Sequence, residues 1–324
     1  MKVAVLGAGA WGTAIACVLA QRLEVCLWAR DRAQARAIAE TRRNERYLPG
    51  IELPAQVRVC DELASAAASA ELVLAATPVA GLREVLKRIP GKDVVWLCKG
   101  FEEGSGALPH RIAEDALPRG ARFGALSGPS FAEEVARGLP CALTLAAFDA
   151  GFARECAERL HGGRMRIYYS TDLVGVEICG AVKNVMAIAA GISDGLGLGL
   201  NARAALITRG LAEIARLAAA LGAQPETVMG LAGVGDLILT ATGDLSRNRR
   251  VGRELGLGRS LDTILKELGH IAEGVRSAKE VARLAAERKV DMPVSAAVNA
   301  VLDGKLSPAE AVERLLSREQ KMER

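Results

Sequence analysis

The first half of the chain alternates short, wholly apolar runs with amphipathic stretches, the rhythm of buried strands and their covering helices. Lys2–Leu6 (KVAVL) reads as a buried strand, and GAGAWG follows it directly. The next run, TAIACVLAQR, has helical character, and Glu24–Asp31 (EVCLWARD) reads as a second strand. Residues 31–46 pattern as an exposed helix rich in Arg and Ala. Residues 47–60 hold Pro49, Gly50 and Pro54, which predict a loop leading to a strand around Val57–Val59. Further apolar runs predict strands at Glu71–Ala76, Val94–Phe101, shortly after Ala121, at Cys141–Ala147 and around Met165–Tyr168. The turn SGPS precedes a helix from Phe131, with Ser130 placed to cap it and Glu133 at the capping-box position. Another helix lies near Phe152–Leu160.

From residue 169 the periodicity is helical throughout. The opening stretch, Leu173–Ile192, is apolar or small apart from Glu177, Lys183 and Asn184. Its length would cross a bilayer. A lysine, an acid and an amide would each cost on the order of 2–3 kcal/mol in lipid, however. Gly175, Gly180 and Gly191 also weaken an isolated helix. The stretch therefore predicts a helix buried inside protein, with Ser170 or Thr171 as cap and Asp172 in the first turn. Helical patterns continue at 202–221, 225–228, 248–255, 260–268, 277–287, 294–302 and 308–316. The expected architecture is α/β: a doubly wound (Rossmann-like), mostly parallel sheet over residues 1–168, then an all-α domain over 169–324.

Composition narrows the function classes. A chain of 324 residues suits two domains, and half of its residues are hydrophobic. Aromatics are only 3%, which disfavours base-stacking surfaces, and the net charge of +4 is spread without a basic block. That balance suits an anionic small molecule better than a nucleic acid. The seven cysteines form no CxxC pair, and their odd number fits reduced, buried thiols of a cytoplasmic protein. His110, His161 and His270 show no metal-ligand spacing, so no metal site is expected. The apolar run after Met1-Lys2 imitates a signal peptide, but its glycines fit a strand, turn and helix better.

The chemistry gathers at a few places. Gly7, Gly9 and Gly12 stand in G-x-G-x-x-G spacing between a strand and a helix, the pattern of a dinucleotide site. The first allows the tight turn, the second lets backbone N–H groups approach a pyrophosphate, and the third lets helix and strand pack closely. At the end of the second strand Arg30 can pair with a 2′-phosphate, while Asp31 could hold a 2′-hydroxyl. NADP is expected, with NAD also accepted. Lys99, at the carboxyl end of a strand, is a candidate for a substrate anion. Lys183 is a buried lysine, and desolvation suits such an amine to exchange protons near neutral pH. Asp236 sits in a glycine-flanked turn and reads as an N-cap or as the charge partner of Lys183. Ser246, Arg247 and Asn248 open a helix and form a phosphate site, with Arg249, Arg250 and Arg253 as surface charges.

These motifs in this order resemble the NAD(P)-dependent glycerol-3-phosphate dehydrogenases of the bacterial type, over essentially the whole chain. The most specific stretch is GAVKNVMAIAAGISDGLGLGLN, joined by GAGAWG, CKGF, SGPSFAEE, AGVGDL, SRN and AEG. The resemblance implies reduction of dihydroxyacetone phosphate to sn-glycerol 3-phosphate with NAD(P)H, feeding glycerophospholipid synthesis. It implies Lys183 as the catalytic proton donor and acceptor, and Lys99, Gly128, Ser130, Lys183, Asp236, Ser246, Arg247 and Asn248 as substrate contacts. For the cofactor it implies Trp11, Arg30, Lys99, Ala132, Arg247, Ile271 and Glu273, beside the glycine turn. Ala10 stands where the family often has Ser, and Ile271 where Val is common. A homodimer is also implied. Two alternatives share parts of the pattern: a β-hydroxyacid or ketopantoate-type reductase, and an NADP-sensing regulator without turnover.

Overall fold

The computed structural model describes residues 1–268, 272–320 and 322. The chain divides into two compact units, Met1–Glu177 and Ile178–Arg324. The division runs through the long apolar helix, which the sequence reading placed whole in the second domain.

The first unit runs β1 (Lys2–Leu6), α1 (Ala10–Leu19), β2 (Glu24–Trp28), α2 (Arg32–Thr41), β3 (Arg43–Asn44), β4 (Leu48–Glu52), β5 (Val57–Cys60), α3 (Leu63–Ala68), β6 (Leu72–Ala75), α4 (Val79–Lys87) and β7 (Val94–Trp96). It continues through α5 (Pro109–Ala116), β8 (Phe123–Ser127), α6 (Ala132–Ala136), β9 (Cys141–Ala146), α7 (Ala150–Leu160) and β10 (Met165–Ser170). Eight strands form one sheet in the order β10-β9-β8-β7-β6-β1-β2-β5. All neighbours pair parallel except β8 and β9. The connection order reverses between β1 and β6, so the crevice beyond their carboxyl ends is the switch point where such sheets take ligands. β1 is buried from Val3 to Leu6 and β6 throughout, as strands covered on both faces must be.

Several local expectations change. The helix foreseen over 31–46 ends at Thr41, where Arg42 turns left-handed at φ 57°. A small antiparallel pair follows, with β3 in the end of the expected helix and β4 in the expected loop. The strand foreseen over 94–101 ends at Trp96, and Gly100 beyond it has φ 129°. The sulfurs of Cys26 and Cys60 lie against one another, with Cα atoms 6.6 Å apart. Parallel pairing sets Cys60 beside Trp28, one pleat from Cys26 on the same face. Of the remaining thiols, burial pushes Cys17 up to about 11 and Cys156 to about 12, which keeps them unreactive.

The long helix α8 (Leu173–Gly195) is the predicted core helix, with 94% of its most apolar window buried inside the protein. Its start is capped by Asp172, which accepts from the Gly175 N–H at 2.9 Å, rather than by Ser170 or Thr171. The second unit is helical among the described residues. It comprises most of α8, then α9 (Gly199–Ala220), α10 (Pro225–Met229), a π turn (Leu231–Gly235), α11 (Asp236–Thr242), α12 (Arg247–Gly256), α13 (Leu261–Leu268), α14 (Glu273–Glu287), α15 (Pro293–Leu302) and α16 (Pro308–Leu316). Helices α8 and α12 approach backbone to backbone through two G-x-x-x-G pairs, Gly191/Gly195 and Gly252/Gly256. A Cβ added at Gly191 would lie 2.0 Å from the Arg249 carbonyl oxygen, and one at Gly252 would lie 2.0 Å from that of Ile188. This crossing fixes the start of α12 against the helix that carries Lys183.

Candidate active site

In the first unit the site begins at the turn between β1 and α1. Gly7 has φ 128°, and a Cβ there would meet the Ala76 carbonyl oxygen at 2.7 Å, after β6. A Cβ on Gly12 would lie 1.9 Å from the Gly7 carbonyl oxygen, so strand and helix touch through glycine alone. Gly9 differs, because a Cβ there would meet nothing within 4 Å. The space over Gly9 is open, and no side chain caps the first turn of α1. Its N–H groups thus fit a pyrophosphate. The turn is held from behind by Asn44 of β3, whose amide donates to the Ala8 carbonyl at 2.9 Å and to Thr13 Oγ1 at 2.7 Å. Gln34 donates to the same carbonyl at 2.9 Å. Ala10, Trp11 and Ala132 pack in one small cluster around Ala14 and Val135, which brings α6 to the glycine turn.

The end of β2 separates its two candidates. Asp31 caps α2, accepting from the Ala33 N–H at 2.9 Å and the Gln34 N–H at 3.4 Å. One oxygen of its carboxylate, Oδ1, takes both backbone bonds. Arg30 is exposed and makes no ion pair among the described residues, whereas Arg32 pairs with Glu62 at 2.6 Å. The uncompensated cation at this strand end favours a 2′-phosphate over a 2′-hydroxyl.

Lys99, Gly128 and Ser130 meet on one atom. Lys99 Nζ donates to the Gly128 carbonyl at 3.3 Å and Ser130 Oγ donates to it at 3.1 Å. Gly128 has φ 137°, a conformation that a side chain would strain. Ser130 does not cap α6; Phe131 is the cap position and supplies no side-chain bond, so the capping-box reading fails. Below this turn, His110 Nδ1 and its backbone N–H both engage the buried Glu177 carboxylate, the backbone bond at 2.9 Å. Burial pushes the Glu177 carboxyl up and its His110 partner opposes that rise. His161 is structural, accepting from the Ile167 N–H at 3.2 Å. His270 and Ile271 lie outside the described residues.

In the second unit Lys183 is 6% exposed and its Nζ donates to Asp236 Oδ1 at 2.8 Å and to Thr240 Oγ1 at 2.7 Å. Asp236 is not a cap. It is the first residue of α11, continuous with the preceding π turn, and it is 1% exposed. A Cβ on Gly233 in that turn would lie 2.0 Å from the Val228 carbonyl oxygen, which accounts for the AGVG motif. Thr240, one helical turn on, donates to the Asp236 carbonyl at 2.7 Å and completes the group. Thr240 was not singled out from the sequence, although its i+4 spacing from Asp236 places it on the same helix face.

Ser246 caps α12, accepting from the Arg249 N–H at 3.2 Å. Arg247 is exposed beside it. Asn248 is buried: its amide donates to Asn184 Oδ1 at 3.0 Å, and its carbonyl accepts from the Gly274 N–H at 3.0 Å. One side chain thereby ties α8, α12 and α14. Glu273 opens α14; burial pushes its carboxyl up, while the charges of Arg276 and Arg247 pull it down. Arg249 is not the surface charge expected, since it is half-buried against Asp194 at 2.8 Å. Among the described residues no group of three His, Cys, Asp or Glu could hold a metal ion.

A doubly wound sheet with this glycine turn, followed by a helical unit carrying a buried lysine–carboxylate pair, defines a dinucleotide-dependent oxidoreductase. Comparison with known proteins narrows the class. The family model for the NAD-dependent glycerol-3-phosphate dehydrogenase N-terminus matches residues 2–153, and that for its C-terminus matches residues 172–313. The chain belongs to this family. It is 58% identical over 327 residues to a glycerol-3-phosphate dehydrogenase (NAD(P)+) of Dechloromonas aromatica, covering 100% of this chain and 99% of that protein. It is 57% identical to its counterpart in Aromatoleum aromaticum, covering 100% of both. Among solved structures, glycerol-3-phosphate dehydrogenase of Coxiella burnetii is similar with a TM-score of 0.92 at 40% identity, covering 98% of this chain and 99% of that one.

Proposed function

We propose that the protein reduces dihydroxyacetone phosphate to sn-glycerol 3-phosphate with NADPH, NADH also being accepted, and so supplies glycerophospholipid synthesis. The observation that carries the reading is the buried amine of Lys183 held between Asp236 and Thr240. The nicotinamide cofactor, when bound, supplies the hydride. Lys183 gives its proton to the oxygen on C2 as that carbon is reduced and takes it back in the reverse direction. Asp236 is the ion-pair partner of the amine and Thr240 sets its direction. Ser246, Arg247 and Asn248 grip the substrate phosphate, and that remote binding energy orients the ketone. Lys99, Gly128 and Ser130 contact the substrate from the first unit. Gly7, Gly9, Ala10, Trp11 and Gly12 receive the dinucleotide; Ala132, Ile271 and Glu273 are assigned to the cofactor as well, and Lys99 and Arg247 to both ligands. Ala10 offers a backbone N–H where a serine would add a hydroxyl. Arg30 pairs with the 2′-phosphate. The apolar helix α8 is spent on the protein's own core, which supports a cytoplasmic location, and we read the working form as a homodimer.

One steady-state experiment tests this reading, following nicotinamide absorbance with dihydroxyacetone phosphate and with unphosphorylated dihydroxyacetone. Two charge-assisted hydrogen bonds to phosphate, at roughly 1.5–3 kcal/mol each, put the loss without the phosphate at about two to four decades in kcat/KM. Equal rates with both ketones would overturn the reading. Bound NADPH without any turnover would favour a sensing regulator, and a preference for 2-ketoacids would favour a ketopantoate-type reductase. In the same assay, Arg30→Ala is expected to lower kcat/KM for NADPH about 10- to 100-fold, the worth of one such bond, and to leave NADH within about twofold. A matched loss with both cofactors would mean that Arg30 does not read the 2′-phosphate.

A further inference from the structure

Arg249 lies two residues past Arg247 in the first turn of α12, yet its guanidinium is turned away into a network of its own. Its Nε meets Asp194 Oδ2 at 2.8 Å and its Nη1 meets Asp244 Oδ1 at 2.7 Å. Asp194 stands in the last turn of α8 and also holds Arg203 of α9, Oδ1 to Nη1 at 3.2 Å. The partners differ in weight. Asp244 is 96% exposed, so its pair is screened, whereas the Asp194 and Arg249 side chains are 15% and 14% exposed. Two carboxylates balance two guanidiniums here, and the charge of Arg249 is spent inside the network. The Arg249 backbone N–H is meanwhile the donor to Ser246 Oγ, so the residue held by Asp194 is the one that orients the Ser246 hydroxyl.

We propose that Asp194 is a positioning residue for phosphate recognition: acting through Arg249, it sets where Ser246, Arg247 and Asn248 stand, and Arg249 itself is not a phosphate ligand. The inference rests on the reading of Ser246–Asn248 as the phosphate grip. It gives a reason for the half-buried acid in GISDG, which touches none of the assigned site residues. The glycine crossing of α8 and α12 holds the two backbones at contact, and Asn248 ties the helix start to Asn184 and Gly274. The ion pair adds a further tie through the Arg249 side chain. Because Arg203 shares the same carboxylate, the glycine-rich turn between α8 and α9 is tied to the grip as well.

The test is Asp194→Asn in the full-length enzyme, which keeps the shape and removes the charge. The expected result is a rise of about tenfold in KM for dihydroxyacetone phosphate with kcat within about threefold, as for a displaced binding group rather than a lost catalytic one. The kcat/KM for dihydroxyacetone, which has no phosphate to grip, stays unchanged, so phosphate discrimination falls by the same factor. Asp194→Glu keeps the charge and restores most of it. Arg249→Lys, which can reach one acid but not both, shows a smaller loss in the same direction and serves if Asp194→Asn does not fold. Unchanged discrimination in Asp194→Asn, or equal losses with both ketones, overturns the inference. A wild-type enzyme indifferent to the phosphate sinks the functional reading instead, so the two failures are distinct.

Discussion

Lys183→Ala is expected to lower kcat by about two to four decades, the range for losing a positioned acid, while the Kd for NADPH stays within about twofold. The cofactor residues of the first unit are untouched by this change. A second effect comes with it. Asp236, 1% exposed, loses its ion partner, and an uncompensated buried charge costs roughly 3–5 kcal/mol. Lys183→Arg separates the two consequences. Arginine keeps a cation beside Asp236 but does not surrender a proton near neutral pH, so the melting temperature should recover and turnover should not. An arginine variant with near-native kcat would remove Lys183 from the proton transfer. Thermal melts followed by circular dichroism, with fluorescence titration of NADPH, supply the two controls.

Gly252→Leu is expected to destabilise the fold by about 3 kcal/mol or more, at the upper end of what overpacking costs. The first added carbon would already sit 2.0 Å from the Ile188 carbonyl oxygen, a backbone atom that no rotamer change can move aside. Helices α8 and α12 would have to separate, and Lys183 and Ser246–Asn248 ride on those two helices. Turnover should therefore fall together with the chemical denaturation midpoint. Gly258→Leu is the comparison: just past the crossing, Gly258 has φ 84° but nothing within 4 Å, so the change costs only its backbone strain. Similar midpoints for the two variants would show that the crossing does not need glycine.

Much of this was legible before any coordinates. Strands buried on both faces must be apolar along their buried length, and β6 throughout and β1 and β2 after their first residues declare themselves that way. The glycine turn is legible because each glycine answers a separate steric demand. The buried helix is legible because Lys183, Glu177 and Asn184 are costly exceptions in an apolar run, and each has a partner: Asp236, His110 and Asn248. What could not be read were partnerships set by packing. Ser130 and Asp236 both stand where a cap is reasonable, but Ser130 turns back to the Gly128 carbonyl and Asp236 meets Lys183 from another helix. Asp31 could serve a ribose or a helix, and the helix role is seen only in the bonds from Ala33 and Gln34. Arg249 looks like its neighbours Arg250 and Arg253 until Asp194 is placed opposite it.

By itself, then, the order of residues determined the alternation of strand and helix, the dinucleotide turn and the buried amine. Those follow from local sterics and from the cost of dehydrating polar groups, which act over a few neighbouring positions. Tertiary structure alone decided which acid meets Lys183, how closely α8 and α12 approach, and which arginine of α12 is held by Asp194. These depend on residues dozens of positions apart being brought within 3 Å, and hydrogen bonding at that range chooses among partners that the chain order leaves equivalent.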